Sequence, residues 1–422
     1  MSSLYEYQAR IIEADLKKTG LWLGTGSTKT RIALELAQGS VLVIAPKTQK
    51  EDANWERENE KWNINKNVTT ISKETFRRDW QKLPRFDTLI VDEAHTCLGV
   101  TPNIRWVKKQ ARPKTSQLFE ALDEYIKKTQ PARLYLATAT IIRSPMTVWG
   151  ASQILGMDWD FYKFRNTFYI RLPMPGREVF TPKTDNETKE KLADLVRKLG
   201  YVGRLEDYFD VPEQNYKTIN IDLTPKQKAR IKEMSLEFPE PIVRVGKIHQ
   251  IENGVLAGDE FNEAEVFENN KIQTLLDLAI EFPRMVVFAR YTAQIAQIAS
   301  AMEKAGKKVL CLTGATKERG EVLKEANESL ECVFIAQSQI SSGWQLGKTK
   351  EHPEYYDYNC MVFASMDYSV INRIQGEGRI LRADNIKKNL YINLVVRGGV
   401  DEAVDKCVSM KQDFNEKLYV NI

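Results

Sequence analysis

The stretch Phe86-Asp87-Thr88-Leu89-Ile90-Val91-Asp92-Glu93-Ala94-His95 narrows most what the chain can become. Thr88 to Val91 are all β-branched or aliphatic, and two carboxylates follow without a break. Such a run has the composition of a strand buried on both faces of a parallel sheet, which leaves only its end for chemistry. In open α/β sheets ligands sit outside the carboxyl edge. Asp92 placed there is a candidate to hold Mg²⁺ through its water shell, and Glu93 a candidate to polarise an attacking water. The plainer alternative is an acidic N-cap after a core strand.

The same grammar recurs along the first part of the chain. Val41 to Ala45, ending at Pro46-Lys47, then Val68 to Ile71 and Leu134 to Ala137, read as further strands separated by helix-length segments. Their alternation predicts one doubly wound α/β domain over residues 1–155. Near its start, Leu21-Trp22-Leu23-Gly24-Thr25-Gly26-Ser27-Thr28-Lys29-Thr30 runs into an amphipathic helix. Backbone N–H groups of Gly24, Gly26, Ser27 and Thr28 can wrap a polyphosphate, Lys29 can reach its β- and γ-phosphates, and Thr30 can bind Mg²⁺. Thr28 occupies the position before the lysine, where such loops carry glycine for its backbone freedom. A Gly/Ser/Thr turn without a ligand is the alternative.

Three other stretches stand out in this half. Leu4 to Leu16 has helical spacing, and Gln8 inside it reads, by spacing alone, as solvent-facing. Thr138-Ala139-Thr140 ends the Leu134–Ala137 strand with hydroxyls that can relay a nucleotide state, unless they are merely a strand-ending turn. Arg105-Trp106-Val107-Lys108-Lys109-Gln110-Ala111-Arg112-Pro113-Lys114 reads as a basic loop, either a solvated face or a contact with a phosphate backbone. Trp55 and Trp62 read as packing residues.

From 156 to 223 the pattern loosens into a helical connector with a loop at Pro173–Arg177. Thr224 and Pro225 mark a helix start, as N-cap and first helical residue. A second α/β rhythm fills the rest of 224–422, with strands at 285–289, 309–312, 333–336, 361–364 and 390–395. This half carries Gln375-Gly376-Glu377-Gly378-Arg379-Ile380-Leu381-Arg382. Three-residue spacing puts Arg379 and Arg382 on one helix face. Two guanidiniums there can stabilise charge on a transferring γ-phosphate, or form an ordinary surface salt-bridge pair.

Composition excludes several classes. Cys97, Cys311, Cys332, Cys360 and Cys407 form no C-x-x-C pair, and His95, His249 and His352 are too dispersed for a histidine metal centre. His249 reads as structural. The net charge of +4 confines nucleic-acid binding to local basic clusters. No apolar run approaches membrane-spanning length and Met1–Glu6 lacks a leader pattern, so the expectation is a soluble cytoplasmic protein without a membrane partner.

In this order the motifs resemble superfamily-2 helicases and translocases, closest to Swi/Snf-type DNA-dependent ATPases and small phage-encoded DEAH-type helicases. Asp92-Glu93-Ala94-His95 and Gln375-x-x-Gly378-Arg379-x-x-Arg382 carry the resemblance, supported by Ala45-Pro46-Lys47, Thr138-Ala139-Thr140, Arg143-Ser144-Pro145 and Ile340 to Leu346. It covers nearly the whole chain. It implies two RecA-like doubly wound parallel-sheet domains, the P-loop NTPase helicase core, joined by the connector and binding ATP and Mg²⁺ between them. Gln8 would read adenine with Tyr5 stacked near it, and Gly343 and Gln345 would line the cleft. Glu93 would be the catalytic base, with Gln375, Arg379 and Arg382 completing the site and Asp92 and Thr30 holding the metal. Lys47, Thr138, Thr140, Ser338 and Ser342 would contact nucleic acid or couple it to the nucleotide. The partner implied is DNA, duplex, branched or single-stranded, with RNA an alternative and no obligate protein partner. Phage replication, recombination or repair is the implied setting. Thr28, Ile141 and Gln345 depart from the family pattern, and Thr28 bears most on ATP affinity. A non-hydrolysing nucleic-acid-binding nucleotide switch is the rival from another class.

Overall fold

A computed structural model of the chain describes residues 4–107, 109–174, 177–204, 207–209, 213–238, 240–258, 263–340, 344–348, 352–381 and 388–409. The chain divides into two units, residues 1–209 and 210–422. The strands of the first are β1 (Lys18–Leu23), β2 (Ser40–Ala45), β3 (Asn67–Ser72), β4 (Thr88–Asp92), β5 (Val100–Val107), β6 (Gln110–Thr115), β7 (Arg133–Ala137), β8 (Tyr169–Met174), β9 (Arg177–Pro182) and β10 (Gly200–Gly203). Six of them form one sheet in the order β10-β1-β7-β4-β2-β3, and every pairing is parallel.

Side-chain alternation explains why apolar runs become its central strands. Leu89 and Val91 of β4 pack into one hydrophobic cluster, and Ile90 into another across the sheet. In β2, Leu42 and Ile44 go one way while Val41, Val43 and Ala45 go the other; Leu134 and Leu136 oppose Tyr135 and Ala137 in β7. A strand with both faces covered needs apolar residues at every position. Each buried Val, Leu or Ile contributes about 1.5–3 kcal/mol relative to exposure. β10 can join the edge because Gly200 sits opposite Gly20, and a Cβ on Gly200 would lie 2.1 Å from the Gly20 carbonyl oxygen.

The second unit repeats the design with β11 (Asn215–Ile221), the short pair β12 (Val255–Leu256) and β13 (Glu265–Val266), β14 (Arg284–Ala289), β15 (Val309–Leu312), β16 (Cys332–Gln337), β17 (Cys360–Phe363) and β18 (Leu390–Val396). Its parallel sheet runs β11-β18-β17-β14-β16-β15. Met285, Val287 and Ala289 face one cluster, and Val286 and Phe288 the other. Both units are therefore RecA-like, doubly wound α/β sheets.

Two sequence expectations are modified. The basic stretch is not a loop but the antiparallel hairpin β5–β6, with Arg105 opposite Arg112 and Trp106 opposite Ala111. Apart from Trp106 and Val107 the stretch carries few strand-forming residues, so its composition does not announce a hairpin. The segment 156–223 is divided between the units: it supplies helices Phe161–Phe168 and Asn186–Leu199, hairpin β8–β9 and strand β10 to the first, and strand β11 to the second. Both strands are short or polar edge strands, which lack the apolar signature of central ones. Trp55 is buried as a packing residue, and Trp62 packs under the Arg31 guanidinium at 3.9 Å. Buried His249 has a structural place, bonded to Asp401 at 2.8 Å and to the Tyr291 hydroxyl at 2.6 Å. Among the described residues no helix is long and apolar enough to cross a membrane.

Candidate active site

Strand register gathers the sequence candidates of the first unit. Ala137 at the end of β7 is aligned with Leu21 of β1 on one side and Asp92 of β4 on the other. Because all three strands are parallel, the segments that follow them emerge at the same carboxyl edge. Adjacent strands lie about 4.8 Å apart, so Gly24–Thr30, Thr138–Thr140 and Asp92–Glu93 become neighbours there.

In the Gly24–Thr30 loop, the Gly24 carbonyl accepts from Lys29 Nζ at 3.0 Å and from the Ser27 hydroxyl at 2.5 Å. Lys29 opens the helix Lys29–Leu36, and half-buried Thr30 is its second residue. Thr28 has φ 54° and ψ 38°, the left-handed region that costs a non-glycine residue about 1–2 kcal/mol. Its hydroxyl explains how the conformation is held. The buried Gln8 side-chain amide donates to Thr28 Oγ1, which also lies 3.2 Å from the Tyr7 hydroxyl. Tyr7 in turn donates to the Ser27 carbonyl at 2.8 Å.

Gln8 is thus wholly buried rather than solvent-facing, because its partner lies twenty positions away and no periodicity reports it. Its Oε1 accepts the Tyr5 backbone N–H at 2.9 Å. The Tyr5 ring meets Phe209 edge-on at 4.8 Å, and Tyr7 stacks on Tyr208 at 4.0 Å. Burial raises the Tyr7 hydroxyl above its ordinary pKa.

The acidic turn is equally ordered. Asp92 is buried and its Oδ1 accepts the Glu93 N–H at 2.9 Å. Burial, then the charge of Glu93, pushes the Asp92 carboxyl up to about 6. Glu93 adopts φ 43°, and its Oε2 accepts from the Thr138 hydroxyl at 3.3 Å. Thr138 Oγ1 lies 2.8 Å from His95 Nδ1, and the Thr140 N–H donates to it at 3.2 Å. Burial drives His95 down to about 4, so the ring is neutral at neutral pH. With the Thr138 hydroxyl committed to Glu93, His95 Nδ1 carries the hydrogen and donates to Thr138. Thr138 is wholly buried, so its hydroxyl faces Glu93 and His95 rather than the surface.

Lys73 is the residue that sequence reasoning missed. It is buried, and its Nζ donates to the Glu93 carbonyl at 2.9 Å and to the Thr96 hydroxyl at 2.6 Å. A lysine in the first turn of a helix carries no local signal that it will reach another strand's end. No group of three or more His, Cys, Asp or Glu side chains among the described residues could hold a metal ion. The donor set instead fits a hard cation arriving with a polyphosphate: one buried carboxylate, Asp92, and the Thr30 hydroxyl at the loop. Lys47, the first residue of the short helix Lys47–Glu51 that follows β2, is exposed and pairs with Glu51 at 3.5 Å.

In the second unit, the helix Val370–Glu377 ends before Arg379, with Gly378 at its C-cap. Arg379 therefore does not sit on a helix face. The chain turns there, and its guanidinium donates to the Gln375 carbonyl at 2.8 Å and to the Trp344 carbonyl. Glycines at 376 and 378 weaken the helix at the position where spacing extended it. Gln375 is buried on that helix, and Gln345 is half-buried. Ser338 is buried with no partner for its hydroxyl, beside Phe288, Asn372 and Arg373. Arg382, Gly343 and Ser342 lie outside the described residues.

No protein-family model and no curated protein matches the chain. Among solved structures it is similar to the Sulfolobus solfataricus SWI2/SNF2 ATPase core in complex with dsDNA. The two are 16% identical over 100% of this chain and 93% of that one, with a TM-score of 0.39. At that distance the functional reading has to stand on the site itself.

Proposed function

We propose that the chain is a nucleic-acid-dependent ATPase of the helicase and translocase kind, acting on DNA with ATP and Mg²⁺. The observation that carries the reading is the meeting, at one sheet edge, of a Lys-Thr phosphate loop and an Asp-Glu turn whose glutamate is held by Thr138. Gly24–Thr30 would bind the phosphates, with Lys29 leaving the Gly24 carbonyl to pair with them. Asp92 and Thr30 would hold Mg²⁺, which neutralises phosphate charge. Glu93 would take a proton from the attacking water, its carboxylate oriented by the Thr138 hydroxyl and, through it, by His95. Gln8 and Tyr5 are assigned to adenine, and Gln345 and Gly343 to the nucleotide. Gln375, Arg379 and Arg382 are assigned to charge stabilisation by their motif, and Lys47, Thr140, Ser338 and Ser342 to contact or coupling with the strand.

Purified full-length protein should hydrolyse ATP faster when nucleic acid is added, and comparing duplex DNA, single-stranded DNA and RNA ranks the partners. Glu93→Gln should lower turnover by about 10²–10⁴-fold while nucleotide binding survives. Wild-type levels of hydrolysis in that variant would refute the assignment. A second reading, a nucleotide switch without turnover, draws on the engagement of Lys29 with Gly24 and of Gln8 with Thr28. Absence of stimulated hydrolysis with retained ATP binding would select it.

A further inference from the structure

Hairpin β5–β6 follows the acidic turn but takes no part in the nucleotide site. Its base is fixed: Val100 is buried, the Ser116 N–H donates to the Gly99 carbonyl at 2.7 Å, and Arg165 donates to the Pro102 carbonyl at 3.3 Å. Strand alternation then sorts the hairpin into two faces. Ile104, Ala111 and Pro113 lie on one face and are half-buried; Arg105, Gln110, Arg112 and Lys114 lie on the other and are exposed.

Two features of the distal part have no internal explanation. The first is charge. Between Val100 and Thr115 the sequence holds Arg105, Lys108, Lys109, Arg112 and Lys114 and no acidic residue. Arg105 and Arg112 are directly opposed, a pairing that repels. Glu120 and Thr115 engage Arg105, whereas Lys109, Arg112 and Lys114 remain exposed. The second is Trp106, 71% exposed although on the face whose neighbours are covered. The other seven tryptophans are buried or half-buried. Opposite it stands Ala111, too small to cover an indole.

We propose that this hairpin is a nucleic-acid contact in which Lys109, Arg112 and Lys114 meet backbone phosphates and Trp106 stacks on an unpaired base. Cations around a solvent-facing ring are the combination that holds a single strand or a frayed end. A membrane surface would call for an apolar tip, whereas the turn here carries Lys109 and is followed by Gln110 at the start of β6. The proposal rests on the reading of the chain as a nucleic-acid-dependent ATPase and adds where on the first unit the strand is held.

The test is equilibrium binding of the full chain to fluorescein-labelled single-stranded DNA, duplex DNA and RNA over a salt series. Trp106→Ala should weaken single-strand binding about 5- to 150-fold, with Trp106→Phe retaining most of the affinity. Arg112→Ala and Lys114→Ala should each reduce the slope of log affinity against log salt by about 0.7 on a single strand. Wild-type affinity and slope in all these variants would overturn the proposal. So would failure of the wild type to bind nucleic acid, or Trp106-dependent binding only to phosphatidylserine vesicles or to a protein. ATP hydrolysis, assayed in parallel, separates the two readings. Hairpin-dependent binding without hydrolysis removes the ATPase reading and leaves the hairpin. Stimulated hydrolysis with unaffected hairpin variants removes the hairpin alone.

Discussion

Replacing Thr28 with glycine should destabilise the first unit, although a residue at φ 54° is ordinarily where glycine helps. Relief of left-handed strain is worth about 1–2 kcal/mol. Against it stands the Gln8 side-chain amide, wholly buried and donating to Thr28 Oγ1. Leaving such a donor without an acceptor costs about 1–3 kcal/mol. The Tyr7 hydroxyl keeps the Ser27 carbonyl, so its loss is small. The greater freedom of glycine in the unfolded chain adds about 0.5–1 kcal/mol. At mid-range these terms leave a net cost of about 1 kcal/mol, or about 5-fold in the unfolding equilibrium. Denaturant titration of the full chain, with hydrogen exchange of peptides covering residues 5–36, would read it in the right unit. Thr28→Ser keeps the hydroxyl and should stay near wild type, while Thr28→Val, which keeps only the strain, should be worst. A Thr28→Gly protein more stable than wild type would refute the account of this loop as hydroxyl-latched.

Asp92 and His95 give opposite pH signs. An Asp92 carboxyl at about 6 holds its proton longer than in the unfolded chain, so its contribution is present at low pH and is lost as pH rises through about 6. His95 at about 4 binds fewer protons than in the unfolded chain, so stability falls as pH drops from about 6.5 toward 4. These oppose each other, which makes Mg²⁺-dependent nucleotide affinity the better readout: it should rise with pH to about 6 and then level off, and a flat profile would count against Asp92 as the metal carboxylate. Lys73→Met removes a cation that favours ionised Asp92, and should move that midpoint to higher pH; an unmoved midpoint would assign Lys73 a packing role only. In the second unit, Asp401→Asn leaves Lys271 buried without its carboxylate and should cost about 3–5 kcal/mol in denaturant titration. A cost below about 1 kcal/mol would mean that Asn253 and the Ala364 carbonyl suffice for Lys271.

Most central strands were readable because a strand covered on both faces must be apolar through its interior, as β2, β4, β7, β14 and β16 are between their polar ends. Edge strands β10 and β11 and hairpin β5–β6 were not, since polar or basic residues on an open face carry little periodic signal. The Lys29, Thr30, Asp92 and Glu93 candidates were legible because each sits where an apolar run breaks. Lys73, by contrast, reaches Glu93 from another element twenty positions earlier, and Gln8 reaches Thr28 across a similar gap.

The sequence by itself determined that two doubly wound sheets would form and that carboxylates, a lysine and hydroxyls would lie at strand ends. Apolar runs select burial, and burial in parallel sheets exposes only those ends. Tertiary structure alone decided the strand order that sets β7 between β1 and β4, and hence that Thr138 orients Glu93. It also decided that Thr28 would hold a left-handed conformation through Gln8 and Tyr7, that Arg379 would leave its helix, and that Trp106 would remain in solvent. Those outcomes depend on partners distant in the chain, whose hydrogen bonds and packing exist only once the sheets have closed their registers.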